Sequence, residues 1–274
     1  MWKKLTESTD YVLGRTRIRP CAGIVLGTGL GGLVNEIDIA DIIPYEEIPN
    51  FPVTTVEGHH GNLIFGHLSG KPVVAMQGRF HYYEGYTMAE TVFPLRVMKL
   101  TGIRQAFLSN AAGGINPGYA VGDLMVIRDH INFFPESPLR GRNIDELGTR
   151  FPDMSEPYDK QLIGLAHEIA AGLDLQLREG IYLGNPGPSF ETPAEYTHYR
   201  VIGADVIGMS TIPEVLAARH MNLPVFAVSV VTNVAVPGNF TENTHEDVQV
   251  AANRASAGLA SLFKGIIIRS PYSA

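Results

Sequence analysis

One short segment of this sequence, GPSFETP at residues 187–193, places a carboxylate where it can hydrogen-bond a polar ligand. Thr192, Pro193 and Glu195 are typical of a helix start, with Thr192 as the N-cap of a capping box. Glu191 would then precede the positive end of a helix dipole, which favours its ionised form. The segment therefore predicts a fixed hydrogen-bond acceptor at Glu191, and the alternative is a solvated loop glutamate.

A second segment, GTGLGG at residues 27–32, follows the apolar run 22–26 and formally matches the dinucleotide fingerprint. A dinucleotide fold also requires a second strand and an acidic residue about twenty positions further on. Residues 35–50 show no clear strand, and Asp41 comes too early. We favour a turn that directs backbone N–H groups and the Thr28 hydroxyl at a phosphate. An NAD-dependent dehydrogenase is the weaker alternative.

The loop QGRFHYYEGY at residues 77–86 carries a cation and several aromatic side chains. Arg79 closely follows an apolar run, and a guanidinium there is suited to bidentate contact with an oxyanion. A histidine and a tyrosine on the same loop, His81 and Tyr83, can hydrogen-bond a polyol. The adjacent pair His59-His60 and His81 lack the spacing of a zinc site. The alternative for the aromatic residues is a solvated loop.

Three further segments carry small or polar residues at the end of a predicted strand or directly after it. Residues 110–114 (NAAGG) let a ligand approach the backbone closely. Ser210 precedes a helix for which Thr211 and Glu214 predict a capping box, so Ser210 would lie at an anion-binding helix N-terminus. Asn233 ends an apolar run, and its amide can donate and accept at once, as the edge of a heteroaromatic ring requires. The alternative for Asn233 is a buried turn residue.

Short β-rich runs alternate with helical patterns along the chain. The runs favour strands at 22–26, 63–68, 72–76, 105–110, 124–127, 181–183, 206–207 and 225–231, and helices at 88–100, 158–171, 193–202, 212–221 and 246–263. This alternation predicts an α/β fold with parallel pairing and helices on both faces of a sheet. Residues 133–157 lack periodicity, and excursions of that length tend to be functional or to face a partner. No linker divides the chain, so we expect a single domain over residues 1–274.

The composition excludes several classes of protein. Hydrophobic residues make up 45% and charged residues 18% of the chain, which supports a large core. The net charge of -7 makes nucleic acid and anionic membrane poor partners. The single cysteine, Cys21, cannot form an internal disulfide, and no apolar run approaches the ~20 residues of a membrane helix. With no apolar signal-peptide core near Met1, a cytoplasmic protein is expected.

Taken in order, these segments resemble the trimeric purine nucleoside phosphorylase family. The similarity runs from about Gly23 to Phe263 and is carried by residues 27–32, 77–85, 110–114, 187–192, 208–211 and 232–233. It implies an α/β fold whose mixed sheet partly closes into a barrel surrounded by helices. It also implies reversible phosphorolysis of 6-oxopurine nucleosides or deoxynucleosides in purine salvage. Inorganic phosphate would be the co-substrate, with no metal or organic cofactor.

The resemblance assigns ligand-binding roles to particular positions. Phosphate is expected at Thr28, His59, Arg79, Ala111 and Ser210. Ribose is expected at Tyr83, His81, Met209 and His245, and the purine at Phe190, Glu191, Thr232 and Asn233. Catalysis would depend on Asn233, Glu191 and His245. Phe151 matches a phenylalanine that family members insert into the neighbouring subunit's site, which implies a homotrimer.

Four positions bear on substrate choice or depart from the family pattern. The related methylthioadenosine phosphorylases carry aspartate at the position of Asn233, so this chain follows the 6-oxopurine pattern. Residues 234–244 form a shorter segment than in mammalian members, which leaves an exposed helix-start histidine as the alternative for His245. Val234 replaces a common lysine, and Thr28 stands where many members have serine, with the hydroxyl kept. The alternatives are a phosphorylase for methylthioadenosine or xanthosine, and a non-catalytic nucleoside- or phosphosugar-binding protein.

Overall fold

One mixed sheet contains all nine strands found in the residues that the computed structural model describes, which are 1–53, 61–236 and 244–273. The strands are β1 (Ala22–Leu26), β2 (Ile37–Pro44), β3 (Asn62–Leu68), β4 (Lys71–Gln77), β5 (Gln105–Gly114), β6 (Leu124–Asn132), β7 (Leu177–Gly184), β8 (Val206–Gly208) and β9 (Val225–Val234). Their order across the sheet is β2-β3-β4-β1-β5-β8-β7-β6-β9. The chain therefore places its strands in space in an order quite different from their order in sequence.

An additional pairing closes part of this sheet into a barrel. Strand β5 pairs with both β8 and β9, so β5, β8, β7, β6 and β9 form a closed ring. Strand β1 pairs in parallel with β4 and β5, whereas β2–β3, β3–β4, β5–β8 and β6–β9 are antiparallel. This topology confirms the α/β fold with a mixed sheet partly closed into a barrel. Closure also removes the free edges at β5 and β9.

Helices cover both faces of the sheet, as the alternating pattern predicts. They are α1 (Trp2–Arg15), α2 (Met88–Thr91), α3 (Phe93–Thr101), α4 (Lys160–Gly172), α5 (Pro193–Val201), α6 (Ile212–His220) and α7 (His245–Arg269). Neighbouring residues of β1 point to opposite sides: Val25 joins the apolar cluster beside α1 and α3, while Ile24 and Leu26 join the cluster beside α4 and α7. This alternation is the period of two that a strand imposes on its side chains.

Three elements differ from the sequence prediction. Strand β2 was not predicted, because it lies at the sheet edge with half of its residues exposed and polar residues interrupting its apolar ones. Helix α1 was not predicted either, and it buries Leu5 and Val12. The single helix expected at 88–100 is broken into α2 and α3, where Pro94 occupies the first turn of the second helix. Proline lacks the N–H that an uninterrupted helix would need there.

Several strands run further than the apolar pattern indicates, and in β5 and β9 the additional residues belong to the predicted site segments. Strand β5 continues through the NAAGG segment to Gly114, and β9 continues through Thr232 and Asn233 to Val234. The extensions pair with each other, with Gly113 opposite Asn233 after a shift in register. Residues predicted to follow these strands therefore belong to the strands, which fixes their backbone more firmly than a loop would.

Residues 133–157 contain neither helix nor strand, in agreement with the predicted excursion. The excursion connects β6 to α4. Among the described residues, none of the helices has the length and apolarity needed to cross a membrane.

Candidate active site

A cleft of about 350 Å³ opens at the carboxyl ends of β1, β4, β5, β7, β8 and β9. Ligand sites in α/β sheets are expected at this edge, because the segments that leave the strands converge there. The cleft brings together eleven of the residues singled out in the sequence: Thr28, Arg79, His81, Tyr83, Ala111, Phe190, Glu191, Met209, Ser210, Thr232 and Asn233. Segments far apart in the chain therefore meet around one cavity.

A buried arginine anchors one end of the cleft. Gly78 adopts a φ of 110°, in the region that favours glycine, and this turn directs Arg79 inward until only 1% of it is exposed. The Arg79 Nε donates to Glu214 Oε1 at 3.0 Å, and Nη1 donates to the main-chain oxygen of Ser109 at 2.7 Å and to Ser210 Oγ at 3.2 Å. The guanidinium is thus held in a fixed position at the cleft wall before any ligand binds.

The capping box predicted for Thr211 and Glu214 is wrong. Thr211 adopts a φ of 70° and makes no side-chain cap, and its Oγ1 instead accepts a hydrogen bond of 2.9 Å from Asn110 Nδ2. The Glu214 carboxylate is therefore free of a capping role and forms the buried ion pair with Arg79. The backbone N–H of Ser210 donates to the Tyr182 hydroxyl at 3.2 Å, so Ser210 lines the cleft with its backbone already held.

Replacing Glu214 by glutamine is expected to lower the free energy of unfolding by about 1–3 kcal/mol, because the buried guanidinium would lose its charged partner. Denaturant unfolding in phosphate-free buffer measures the change. Glu168→Gln is the matched control, since Glu168 pairs with Arg269 at 2.6 Å on the surface, where both side chains are more than half exposed. If Glu214→Gln and Glu168→Gln lower the free energy of unfolding equally, the buried ion pair stabilises the protein no more than the surface pair does, which would contradict the prediction.

A histidine and a tyrosine form a stacked pair beside Arg79. The rings of His81 and Tyr83 are 4.7 Å apart at an interplanar angle of 14°. His81 Nδ1 lies 2.9 Å from Glu84 Oε1, and because a carboxylate only accepts, Nδ1 carries the proton and Nε2 keeps its lone pair. Burial lowers the pKa of His81, and burial raises the pKa of Tyr83 to about 12. Tyr83 therefore keeps its proton and can donate a hydrogen bond near neutral pH.

Glu191 also lines the cleft and is half-buried. The capping box at Thr192 and Glu195 is present as predicted, with the Thr192 N–H donating to Glu195 at 2.7 Å. Glu191 Oε1 also accepts a hydrogen bond of 2.6 Å from Asn185 Nδ2. Sequence reasoning missed Asn185, although a polar residue directly after the apolar strand β7 was a signal for it. The carboxylate is thus oriented by a side chain six residues away.

Asn233 occupies its place because β9 contains one extra residue relative to β5. Ala112 pairs with Val231 and Gly113 with Asn233, so Thr232 is the additional residue of a bulge. Bulges next to active sites redirect side chains in this way. A Cβ on Gly113 would lie 3.3 Å from Asn233 Oδ1 and 3.4 Å from Nδ2, so the glycine leaves room for the amide. The small residues of this segment therefore accommodate a side chain of the protein.

Tyr196 is a cleft residue that sequence reasoning missed. It lies on α5, is 7% exposed and lines the cleft together with Glu191 and Asn233. Burial, followed by the negative charge of Glu191, raises the pKa of Tyr196 well above its ordinary value, so the phenol stays protonated. In the sequence, Tyr196 looks like an ordinary apolar position of the helix. Only the tertiary structure, which brings β9 close to α5, places it in the lining of the cleft.

Three residues proposed from the resemblance are not among the described residues that line the cleft. His59 lies outside the described residues. His245 begins α7, but its side chain lies outside the described part of the structure. Val248, on the first turn of the same helix, does line the cleft and places the start of α7 beside it. Phe151 is 86% exposed on the excursion 133–157.

The described residues contain no group of three or more histidine, cysteine, aspartate or glutamate side chains arranged to hold a metal ion. The groups around the cleft are instead a guanidinium, hydroxyls, amides and the Glu191 carboxylate. Such an arrangement can bind an anion at Arg79 and a polar heterocycle at Glu191 and Asn233.

The chain is similar to known proteins along nearly its whole length. The family model of the phosphorylase superfamily matches residues 22–268. Purine nucleoside phosphorylase 1 of Geobacillus stearothermophilus is 49% identical over 263 residues, covering 96% of each chain. The crystal structure of isoform 2 of purine nucleoside phosphorylase from Schistosoma mansoni, in complex with cytosine and ribose-1-phosphate, has a TM-score of 0.94 at 44% identity and covers 98% of this chain and 97% of that chain. A Schistosoma purine nucleoside phosphorylase in complex with hypoxanthine has a TM-score of 0.92 at 43% identity, covering 98% of each chain.

Proposed function

Because the chain belongs to the phosphorylase superfamily and, within it, to the purine nucleoside phosphorylases, we propose that its cleft binds phosphate, ribose and purine in adjoining subsites. The protein is an enzyme, a pentosyltransferase that converts a purine nucleoside and phosphate reversibly into the free base and ribose 1-phosphate. Our proposal concerns the residues that do this and the preference for 6-oxopurines. It rests on Glu191, Asn233 and Arg79 lining one and the same cleft.

The phosphate subsite contains Thr28, Arg79, Ala111 and Ser210, with His59 as a further ligand from outside the described residues. The hydrogen bonds from Arg79 to Ser210 and to the main chain of Ser109 support this proposal, because they fix the guanidinium at the wall of the cleft. A fixed cation aligns phosphate below C1′ of the sugar without reorganisation, which is catalysis by positioning. Phosphate itself is the nucleophile.

Ribose lies between the two ends of the cleft, against Tyr83, His81 and Met209. The protonated Tyr83 hydroxyl donates to a sugar oxygen, and the Nε2 lone pair of His81 accepts from a sugar hydroxyl. His245 would reach the 5′-hydroxyl from the first turn of α7. The position of Val248 in the cleft lining supports this last assignment, because His245 and Val248 are one helical turn apart.

The purine packs beside Phe190 and Thr232, with its polar edge toward Glu191 and Asn233. Breaking the N-glycosidic bond makes the sugar cation-like and leaves negative charge on the base. Asn233 hydrogen-bonds the edge formed by N7 and position 6, where this charge builds, and so stabilises the leaving purine. Glu191 accepts the N1–H that hypoxanthine and guanine carry. Adenine has a lone pair at N1, which would face the carboxylate and weaken binding.

Further parts of the proposal concern assembly, cofactors and location. The Phe151 side chain is 86% exposed on the excursion 133–157, which leaves its ring available to a neighbour's cleft and supports a homotrimer. The continuous sheet of the described residues supports a single domain over residues 1–274.

We propose phosphate as co-substrate with no metal or organic cofactor. A cytoplasmic location stays a prediction from the sequence.

The test is an assay of inosine, guanosine, adenosine and methylthioadenosine, each with and without phosphate. We expect inosine and guanosine to be cleaved only when phosphate is present, with ribose 1-phosphate as the second product, and adenosine and methylthioadenosine to react poorly. Release of hypoxanthine without phosphate would identify a hydrolase and refute the mechanism. A preference for methylthioadenosine would refute the assignment of Glu191 and Asn233 to 6-oxopurines.

A further inference from the structure

Asn185 contacts a proposed base-binding residue but has no part in the proposed mechanism. It is the first residue after β7 and is 8% exposed. Its Nδ2 donates a hydrogen bond of 2.6 Å to Glu191 Oε1. Asn185 itself is not among the described residues that line the cleft. Any influence it has on the base must therefore act through Glu191.

Asn185 is held at its backbone and at both ends of its amide. Its main-chain N–H donates to the main-chain oxygen of Gly208 at 3.0 Å, which adds one more bond to the pairing between β7 and β8. Its Oδ1 accepts from the main-chain N–H of Gly187 at 3.0 Å. A main-chain N–H can only donate, so the amide end that faces Gly187 must be the oxygen. The end that faces Glu191 is therefore the donor Nδ2.

Through Asn185, the sheet determines the orientation of the Glu191 carboxylate. Glu191 lies in the segment that connects β7 to α5, where a glutamate side chain has several rotamers available. Hydrogen bonds to an ionised acceptor are short and strong, and the contact of 2.6 Å holds Oε1 toward Asn185. Oε2 is then the carboxylate oxygen that is left for a ligand.

We propose that Asn185 is a positioning residue that presents Glu191 Oε2 to the N1–H of a 6-oxopurine. This inference rests on the proposed role of Glu191. A base that donates from N1 gains from an acceptor already held in place, because less side-chain freedom is lost when it binds. Adenine does not donate from N1, so it gains nothing from the same fixed acceptor. Asn185 thus raises the preference for 6-oxopurines from outside the cleft lining.

The test is Asn185→Asp, which keeps the oxygen that Gly187 binds and replaces the donor at Glu191 by a second acceptor. We expect the ratio of kcat/KM for inosine to kcat/KM for adenosine to fall about tenfold at alkaline pH, the effect of losing one hydrogen bond to a charged group. A purely structural residue would keep its contact with Gly187 and leave the ratio unchanged, which would overturn the inference. Thermal unfolding verifies that the variant is folded.

The pH profile of the same variant provides a second readout. Two facing carboxylates share one proton as the pH falls, and the protonated one can then donate to the other. Relative to wild type, Asn185→Asp should therefore regain kcat/KM for inosine between alkaline and acid pH. The titratable side chains beside Glu191 on α5 are the same in both proteins and do not affect this comparison: Tyr196, Tyr199 and Glu195. A relative rate that is constant with pH would contradict donation to Glu191.

Asn116 provides a matched control. Its Oδ1 accepts from the N–H of Gly118 at 2.9 Å and its Nδ2 donates to Asp205 Oδ1 at 2.8 Å, so it makes the same two kinds of hydrogen bond as Asn185. Neither Asn116 nor Asp205 is among the described residues that line the cleft. Asn116→Asp should leave the ratio of the two nucleosides unchanged. A fall equal to that in Asn185→Asp would show that the ratio responds to any such pair, and would overturn the inference.

A double variant tests whether Asn185 acts through Glu191. In a Glu191→Ala background there is no carboxylate to position, so adding Asn185→Asp should leave the ratio as it is in Glu191→Ala alone. If the double variant turns over too slowly, equilibrium binding of hypoxanthine and adenine gives the ratio. A further tenfold fall in that background would mean that Asn185 acts by another route, and would refute the proposal.

The same measurements separate this inference from the proposed function. A wild-type protein that shows no phosphate-dependent cleavage of inosine would refute the proposed function itself. A wild-type protein that prefers inosine, combined with an unchanged ratio in Asn185→Asp, would refute only the role of Asn185.

Discussion

Replacing Glu191 by alanine is expected to lower kcat/KM for inosine by about three orders of magnitude, or ~4 kcal/mol of transition-state stabilisation. The carboxylate is the proposed acceptor for N1–H of the base, and the Asn185 amide donates a hydrogen bond of 2.6 Å to it. Without it, the N1–H of a bound 6-oxopurine would be buried without a partner. The Asn185 amide would lose the same acceptor, which adds to the loss.

Steady-state kinetics with inosine and adenosine measure this effect. Adenosine should lose much less activity than inosine, because its N1 offers no proton to Glu191. Glu195→Ala is the matched control: Glu195 caps the same helix start without lining the cleft, so that variant should lose stability and keep its preference for inosine. If kcat/KM falls equally for inosine and adenosine in Glu191→Ala, the carboxylate does not bind the N1–H of the base.

Replacing Asn233 by aspartate is expected to raise the ratio of adenosine to inosine kcat/KM by about two orders of magnitude. A carboxylate accepts from the 6-amino group of adenine and repels the 6-oxo group of hypoxanthine, so both effects shift the ratio in one direction. The fixed backbone of the β9 bulge keeps the new side chain at the same place as the amide. The absolute rate on inosine should fall, since the leaving purine would lose a hydrogen-bond donor.

The kinetics of both nucleosides, each at saturating phosphate, provide the measurement. Asn253→Asp adds the same charge to an exposed position of α7 and should leave the ratio unaltered. If the ratio of adenosine to inosine kcat/KM stays constant or falls in Asn233→Asp, the proposal that Asn233 binds the base is wrong.

Much of the fold could be predicted because local physics determines it. The apolar runs at β1, β4 and β9 are buried strands, and the capping box at Thr192 starts α5 where the sequence indicates. The positions of the polar segments also followed from sequence, since polar residues that leave parallel strands gather at one sheet edge. The edge strand β2 escaped prediction because an exposed strand has no continuous apolar run to reveal it.

The sequence by itself determined which residue types stand at the ends of the strands, and hence the kinds of groups available for binding. Only the tertiary structure decided which of these groups contact each other. Arg79 and Glu214 are 135 residues apart in the chain, and no local pattern predicts their pairing; locally, Glu214 is better explained as a helix cap. Tyr196 and Asn233 meet because the sheet closes between β5 and β9 and a bulge redirects the amide. Short-range propensity acts over a few residues, whereas these contacts depend on how strands that are distant in sequence are arranged in the sheet.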